Sequence, residues 1–129
     1  MSGESDLATL LASLSPELLP GEFVVVSVEP AAATSLPAHA VIREAEGATV
    51  VLARVDADAA GLAYDFVARW ITLTVHSSLD AVGMTAAFAA ALTREGISCN
   101  VLAGFFHDHL LVPADRADDA IRTLRALAA

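Results

Sequence analysis

The sequence predicts an α+β fold in which antiparallel sheets carry helices on one face. Two observations support this class. β-branched runs such as residues 71–75 alternate with short helical patterns, and the order strand, turn, acidic cap, alanine-rich helix occurs twice. The segments VVLARVDADAAGL and LLVPADRADDAI carry this repeat. We therefore expect an internal duplication, with one unit over residues 1–66 and a second over residues 67–129.

The first half begins with a helix and a strand. Leucines at i, i+3, i+4 and i+7 predict a helix that Ser5 or Asp6 opens and Pro16 ends. Its buried stripe is Leu7, Leu10, Leu11 and Leu14. The run EFVVVSV at residues 22–28 predicts a strand, because most of its residues are β-branched.

The rest of the first half predicts a loop, a hairpin and a weak helix. Residues 29–39 contain two prolines and predict a loop with at most a broken turn of helix. Strands at 40–45 and 49–55 flank a turn that contains Gly47. Asp56 is expected to cap a short helix over residues 56–62.

The second half repeats this order. Its predicted elements are a strand at 71–75, a helix at 80–95 that Gly96 ends, strands at 98–103 and 106–112 around Gly104, and a last helix from Asp115. On that last helix, Asp118 and Arg122 have the i,i+4 spacing of a favourable pair.

Composition narrows the functional classes. A net charge of −9 argues against nucleic acid and anionic membrane surfaces as partners. The N-terminus lacks the basic start of a secretory signal, and no apolar run has the length of a membrane span. Cys99 is the single cysteine, which excludes an intrachain disulfide and suggests a cytoplasmic location.

The turn after the strand at 71–75 points to a small-molecule site. His76, Ser77 and Ser78 stand where a helix N-terminus leaves backbone N–H groups free, and such groups bind anions. Gly83 would allow a ligand to approach the backbone closely. Asp80 and Asp108 are carboxylate candidates for a ligand ammonium group. We expect no catalytic residue, metal ligand or cofactor in this chain.

The runs VHSSLDAVGMTAAFAAAL and EGISCNVLAGFFHDHLLVP resemble the second half of small bacterial tandem ACT-domain proteins. These proteins are similar to CASTOR-type amino-acid sensors and to the regulatory ACT domains of aspartate kinases. The resemblance implies two ferredoxin-like ACT units, an amino acid or similar small metabolite bound between ACT units, a regulatory role and no catalysis. We expect the chain to differ from the kinases by lacking an attached enzyme.

The resemblance also suggests which residues face the ligand. In an ACT unit the turn after the first strand is the usual ligand-facing element, and a neighbouring strand offers main-chain groups. At the matching positions of this sequence, together with Asp108, the expected ligand-binding residues are His76, Ser77, Ser78, Leu79, Val82, Gly83, Met84, Thr85, Ile97, Asn100 and Asp108.

Three alternatives remain open. His107 and His109 share one side of a strand, so with His76 they could hold zinc or iron. A hydrolase would use Ser77 or Ser78 as its nucleophile, but the glycines of a nucleophile elbow are absent. The chain could also be an interaction domain that binds no ligand. Open sheet edges also predict a homodimer or a higher oligomer, whether the chain binds a ligand or not.

Overall fold

The structure, a computed structural model, describes residues 6–75 and 79–128. These residues form two compact units. The central unit consists of residues 20–68, and the terminal unit combines residues 6–19 with the described residues from 69 onward. The structural units therefore differ from the segments 1–66 and 67–129, and that division into two ACT-like repeats stays a prediction.

Five α-helices and seven strands make up the described chain. In chain order they are α1 (Leu7–Ala12), β1 (Pro16–Leu18), β2 (Phe23–Val28), α2 (Pro30–Ala33), β3 (Ala38–Glu44), β4 (Gly47–Ala53), α3 (Arg54–Ala59), β5 (Val67–Leu73), α4 (Met84–Arg94), β6 (Asn100–Ala103), β7 (Asp108–Pro113) and α5 (Ala117–Leu127).

The central unit is an antiparallel sheet with helices on one face. Its strand order is β3-β4-β2, and the first two residues of β5, Val67 and Ala68, pair with β2 as the fourth strand of a βαββαβ unit. Alternate residues of β2 and β4 form the core against the helices, because side chains alternate between the two faces of a strand. This core includes Val24, Val26, Val50, Leu52 and Ala57.

The terminal unit has the same strand arrangement, with one strand supplied by the other end of the chain. Its order is β1-β5-β7-β6, and β1 pairs antiparallel with β5 in the position of a fourth strand. The prediction of two ferredoxin-like units with helices on one face is therefore confirmed. Its core includes Leu10, Phe88, Leu92, Leu110 and Leu124, all of them fully buried.

Helix α1 belongs to the terminal unit and follows the predicted leucine stripe. Asp6 is its N-cap, and the Asp6 carboxylate accepts a hydrogen bond from the Thr9 backbone N–H at 3.0 Å. Hydrogen bonds from the Thr9 hydroxyl and backbone lower the pKa of Asp6. Leu10 and Leu14 are buried in the core of the terminal unit, as the i, i+4 spacing requires.

All five predicted elements of the second half begin at other residues than expected, and the starts of β5 and α4 differ most. β5 starts at Val67 rather than at residue 71, because Val67 and Ala68 pair with β2. α4 starts at Met84 rather than at residue 80. Gly83 precedes it with φ +96°, a left-handed conformation that cannot lie inside a right-handed helix.

Two predictions about charged groups at helix ends are wrong. Ala53, not Asp56, is the N-cap of α3, and Asp56 lies in the first turn of that helix. On α5, Arg122 binds Asp119 instead of Asp118, and Arg116 binds the second carboxylate oxygen of Asp119 at 3.0 Å. A 3₁₀ turn over Ala114–Arg116 precedes α5 and places Arg116 within reach of Asp119.

Candidate functional site at the turn between β5 and α4

The predicted ligand turn is partly outside the described chain. His76, Ser77 and Ser78 are not among the described residues. Leu79 and Val82 are 68% and 84% exposed, and Thr85 is also exposed. Met84 is only 3% exposed and belongs to the core of the terminal unit. The described part of the turn therefore presents the apolar side chains of Leu79 and Val82 to the surface, whereas Met84 packs in the core beneath the turn.

Gly83 faces the protein itself. A Cβ built at Gly83 would lie 3.0 Å from Cδ2 of Leu7. The Gly83 carbonyl accepts a hydrogen bond from the Ala87 N–H at 2.9 Å, which is the first bond of α4. The close approach that glycine permits here is therefore made by the side chain of Leu7, which packs from α1 over the start of α4.

The predicted neighbouring strand lies elsewhere in the sheet. Ile97 is 3% exposed and belongs to the core, directly after the Gly96 turn that ends α4. Asn100 is exposed and begins β6, opposite Leu111 of β7. In the sheet order, β7 separates β6 from β5. Asn100 therefore lies on a strand that does not adjoin β5, whereas the Ile97 side chain shares the core of the terminal unit with Met84 of the turn.

A polar chain on the helix-free face of this sheet was missed by the sequence reasoning. The Trp70 indole N–H donates to the Thr72 hydroxyl at 3.0 Å, and that hydroxyl lies 3.0 Å from Nδ1 of His109. The rings of Trp70 and His109 are 5.2 Å apart between centroids. The spacing of Trp70 and Thr72 along β5 indicates a shared face, but their partner on β7 is revealed only by the fold.

The surroundings of Asp108 and His109 shift the pKa values of both side chains. Burial lowers the pKa of His109, the nearby His107 lowers it further, and Asp108 acts in the opposite direction. Burial raises the pKa of Asp108, against the influence of His109. Nδ1 of His107 is buried and has no hydrogen-bond partner among the described residues. His109 contacts the Thr72 hydroxyl through one of its ring nitrogens.

His76 of the predicted histidine trio lies outside the described residues, so the trio stays a prediction. Within residues 6–75 and 79–128, no group of three or more His, Cys, Asp or Glu side chains could hold a metal ion. Cys99 is half-buried, and burial raises the pKa of its thiol to about 11. A thiol with so high a pKa is not ionised at neutral pH, so Cys99 acts as a small apolar residue against the core. None of the described helices is long and apolar enough to cross a membrane.

Family comparison identifies both halves of the chain. Family models for the ACT domain match residues 2–69 and residues 65–126. No curated protein matches the chain. The chain is 45% identical to a Vibrio cholerae protein of unknown function, described as a possible transport protein. That crystal structure has a TM-score of 0.87, and the match covers 95% of this chain and 96% of the other.

More distant structures share the fold. The regulatory subunit of aspartate kinase from Thermus thermophilus, in a ligand-free form, is 11% identical with a TM-score of 0.65, over 89% of this chain and 98% of that one. The aspartokinase alpha and beta subunits give 14% identity and a TM-score of 0.64, over 88% and 96% of the two chains. ACT domains are regulatory modules without catalytic groups of their own, and they typically bind small molecules. With two such domains in tandem, the chain belongs to the ACT-domain family.

Proposed function

We propose that this chain is a regulatory module that binds an amino acid or a similar small metabolite and catalyses no reaction. The observation that carries the proposal is the presence of two tandem ACT domains. We further propose a homodimer in the cytoplasm. The single half-buried cysteine suits a reducing compartment, and ACT domains often form oligomers.

We place the ligand at the turn from His76 to Thr85. α4 has 11 residues, and its N-cap is Gly83, which has no side chain to satisfy the first backbone N–H groups. Free N–H groups and the positive end of the helix dipole favour a carboxylate at this position. The hydroxyls of Ser77 and Ser78 would supply further donors, so the proposal needs no basic side chain.

A ligand ammonium group would require an acceptor at the same end of the sheet. Asp108 begins β7, which neighbours β5, and Asp80 precedes α4. Burial raises the pKa of Asp108, and a bound ammonium group would favour its ionised form. We therefore expect binding of an α-amino acid to weaken when Asp108 is changed to Asn.

A melting-temperature screen with the natural amino acids tests the proposal. A ligand that binds only the folded state stabilises it by about 2.7 kcal/mol at a concentration of 100 times its Kd. An amino acid that raises the melting temperature would then be titrated calorimetrically against the Ser77→Ala/Ser78→Ala variant. A Ser27→Ala/Ser35→Ala variant removes two hydroxyls from the central unit and serves as the matched control.

The outcomes separate the candidate functions. Affinity lost in the Ser77→Ala/Ser78→Ala variant and kept in the control supports the proposed turn. Equal affinity in both variants places the site elsewhere on the chain. If no natural amino acid changes the melting temperature, the proposed amino-acid ligand is wrong, and the result favours an interaction domain that binds no ligand.

A further inference from the structure

The central unit has an open groove on its helix-bearing face, beside the edge strand β3. Its volume is about 390 Å³, which is within the range of roughly 300–1,000 Å³ typical of small-molecule sites. Four of its lining residues are apolar, one carries a hydroxyl and one is cationic. They are Pro30, Ala33, Thr34, Val41, Arg43 and Ala48. This groove is separate from the turn at residues 76–85.

The groove exists because the helix over this part of the sheet is short. In the terminal unit the helix after the first strand, α4, has 11 residues and buries four of them. Its counterpart in the central unit, α2, has four residues and buries only Ala33. As a result Val41, whose side chain shares a face with the core residues of the sheet, remains 47% exposed. The short helix α2 thus leaves open an apolar surface of the sheet, whereas the longer helix α4 covers the corresponding surface in the terminal unit.

Arg43 supplies the charge at this groove. It lies two residues after Val41 on β3 and directly opposite Ala48 on β4, so the three side chains share one face of the sheet. Among the described residues, no hydrogen bond or ion pair engages the Arg43 guanidinium. Arg54, by contrast, binds Glu22 and Tyr64 at 2.9 Å each. The groove therefore holds an unpaired cation next to an apolar floor.

We propose that this groove binds a small monocarboxylate with a short, branched apolar body. The guanidinium would hold the carboxylate in a bidentate pair, and the apolar body would cover Val41 and Ala48. None of the six lining residues is acidic, so an ammonium group would gain no partner in the groove. The ligand class therefore differs from the α-amino acid proposed for the other site.

Amide spectra of the whole chain, titrated with isovalerate, test this site. We expect saturable shifts at Ala33, Val41 and Ala48. Isovaleramide has the same shape without the charge, and it should bind about tenfold more weakly or worse, because a hydrogen bond to a charged group is lost. The Arg43→Gln variant should bind isovalerate about tenfold more weakly and isovaleramide unchanged. Arg125→Gln, an exposed arginine of α5, is the matched control and should bind both as the wild type does.

A second variant tests the groove independently of the charge. Thr34→Met fills the groove from its rim, so it should weaken both probes while the amide spectrum stays folded. The proposal is overturned if isovalerate gives no saturable shifts, if the shifts lie away from the groove, or if Arg43→Gln binds isovalerate as the wild type does. Equal binding of isovalerate and isovaleramide would also overturn it, and would mark the groove as an apolar docking surface instead.

Discussion

Gly83 shows how far a residue's role can be predicted from its type. The sequence indicates a position where a side chain would obstruct a close approach, and the φ of +96° and the 3.0 Å distance to Leu7 agree with that. What the sequence leaves open is the partner, because Leu7 is 76 positions earlier in the chain. A glycine beside a suspected ligand turn can therefore serve packing of the protein itself.

Substitution of Gly83 by alanine should destabilise the protein through two separable effects. A left-handed backbone costs a non-glycine residue about 1–2 kcal/mol, and the added methyl group would press on Leu7. Gly61→Ala is the matched control, because Gly61 has φ +68° and open space around its Cβ position. In urea unfolding we expect Gly83→Ala to cost about 1 kcal/mol more than Gly61→Ala.

The additional loss of stability in Gly83→Ala should disappear when Leu7 is also changed to alanine, because the added methyl group then meets no side chain. If the two glycine variants lose the same stability in the wild-type background, Leu7 does not restrict this position. In that case the earlier interpretation, that Gly83 makes room for a ligand, regains its support.

His109 should make stability depend on pH near neutrality. Burial and His107 lower its pKa in the folded state, so the unfolded chain binds more protons below the ordinary histidine pKa of about 6.5. The contribution of His109 to stability is therefore complete above that pH and is lost as the pH falls through the lowered pKa. His109→Gln keeps a hydrogen-bonding group for Thr72, and it should lose less stability than the wild type between about pH 7.5 and pH 5.5.

Thermal melts across this pH range provide the measurement. His39→Gln removes an imidazole from the central unit, where His39 packs edge-on against Phe23 at 4.8 Å. That variant controls for the loss of a histidine as such. A wild-type-like pH dependence in His109→Gln would mean that His109 is not the group responsible.

At the scale of elements, local pattern predicts the long elements and fails where the pairing partner is distant. The leucine spacing of α1 and the β-branched run of β2 predict both elements within a few residues. β1 is missed because its three residues, which begin with a proline, are too few to carry a periodic pattern, and only pairing with β5 makes Pro16–Leu18 a strand. The pairing of Arg122 with Asp119 is missed for a different reason, because i,i+3 and i,i+4 spacings are both favourable on a helix and the sequence has an aspartate at each.

The assignment of α1 to the terminal unit leads to a prediction about Leu10. This side chain is fully buried with Phe88 and Leu124 in one core. Leu10→Ala should cost about 2–5 kcal/mol, as for other buried leucines. The loss should appear in hydrogen exchange as reduced protection of amides beyond residue 69, while the protection of residues 20–68 changes less.

Val50→Ala is the control, because Val50 is fully buried in the core of the central unit. It should reduce the protection of residues 20–68 first. A Leu10→Ala variant that loses protection mainly in residues 20–68 would instead favour the division at residue 66 expected from the sequence repeat.

The molecule as a whole contains two repeated units, one formed by a continuous segment of the chain and the other by two separate segments. The segment from 20 to 68 is continuous, whereas the terminal unit needs β1 from one end of the chain and β5 to α5 from the other. Sequence repeats predict the number of units, because each copy carries its own strand and helix order. They do not predict that β1 completes the terminal unit from the other end of the chain, because this strand is only three residues long.

We expect the edge strand of the central sheet to take part in pairing between two copies of the chain. β3 is the edge of the central sheet, and its Val41 and Ile42 are 47% and 43% exposed. Uncovered edges with apolar side chains favour pairing with another chain, so light scattering should give about twice the 13.3 kDa chain mass.

Ile42→Lys places a charge at this edge and should shift the mass toward that of one chain. Val55→Lys, at a side chain of α3 that is 73% exposed, should leave the mass unchanged. A wild-type mass of one chain would contradict the dimer, and a dimer that persists in Ile42→Lys would place the interface away from β3.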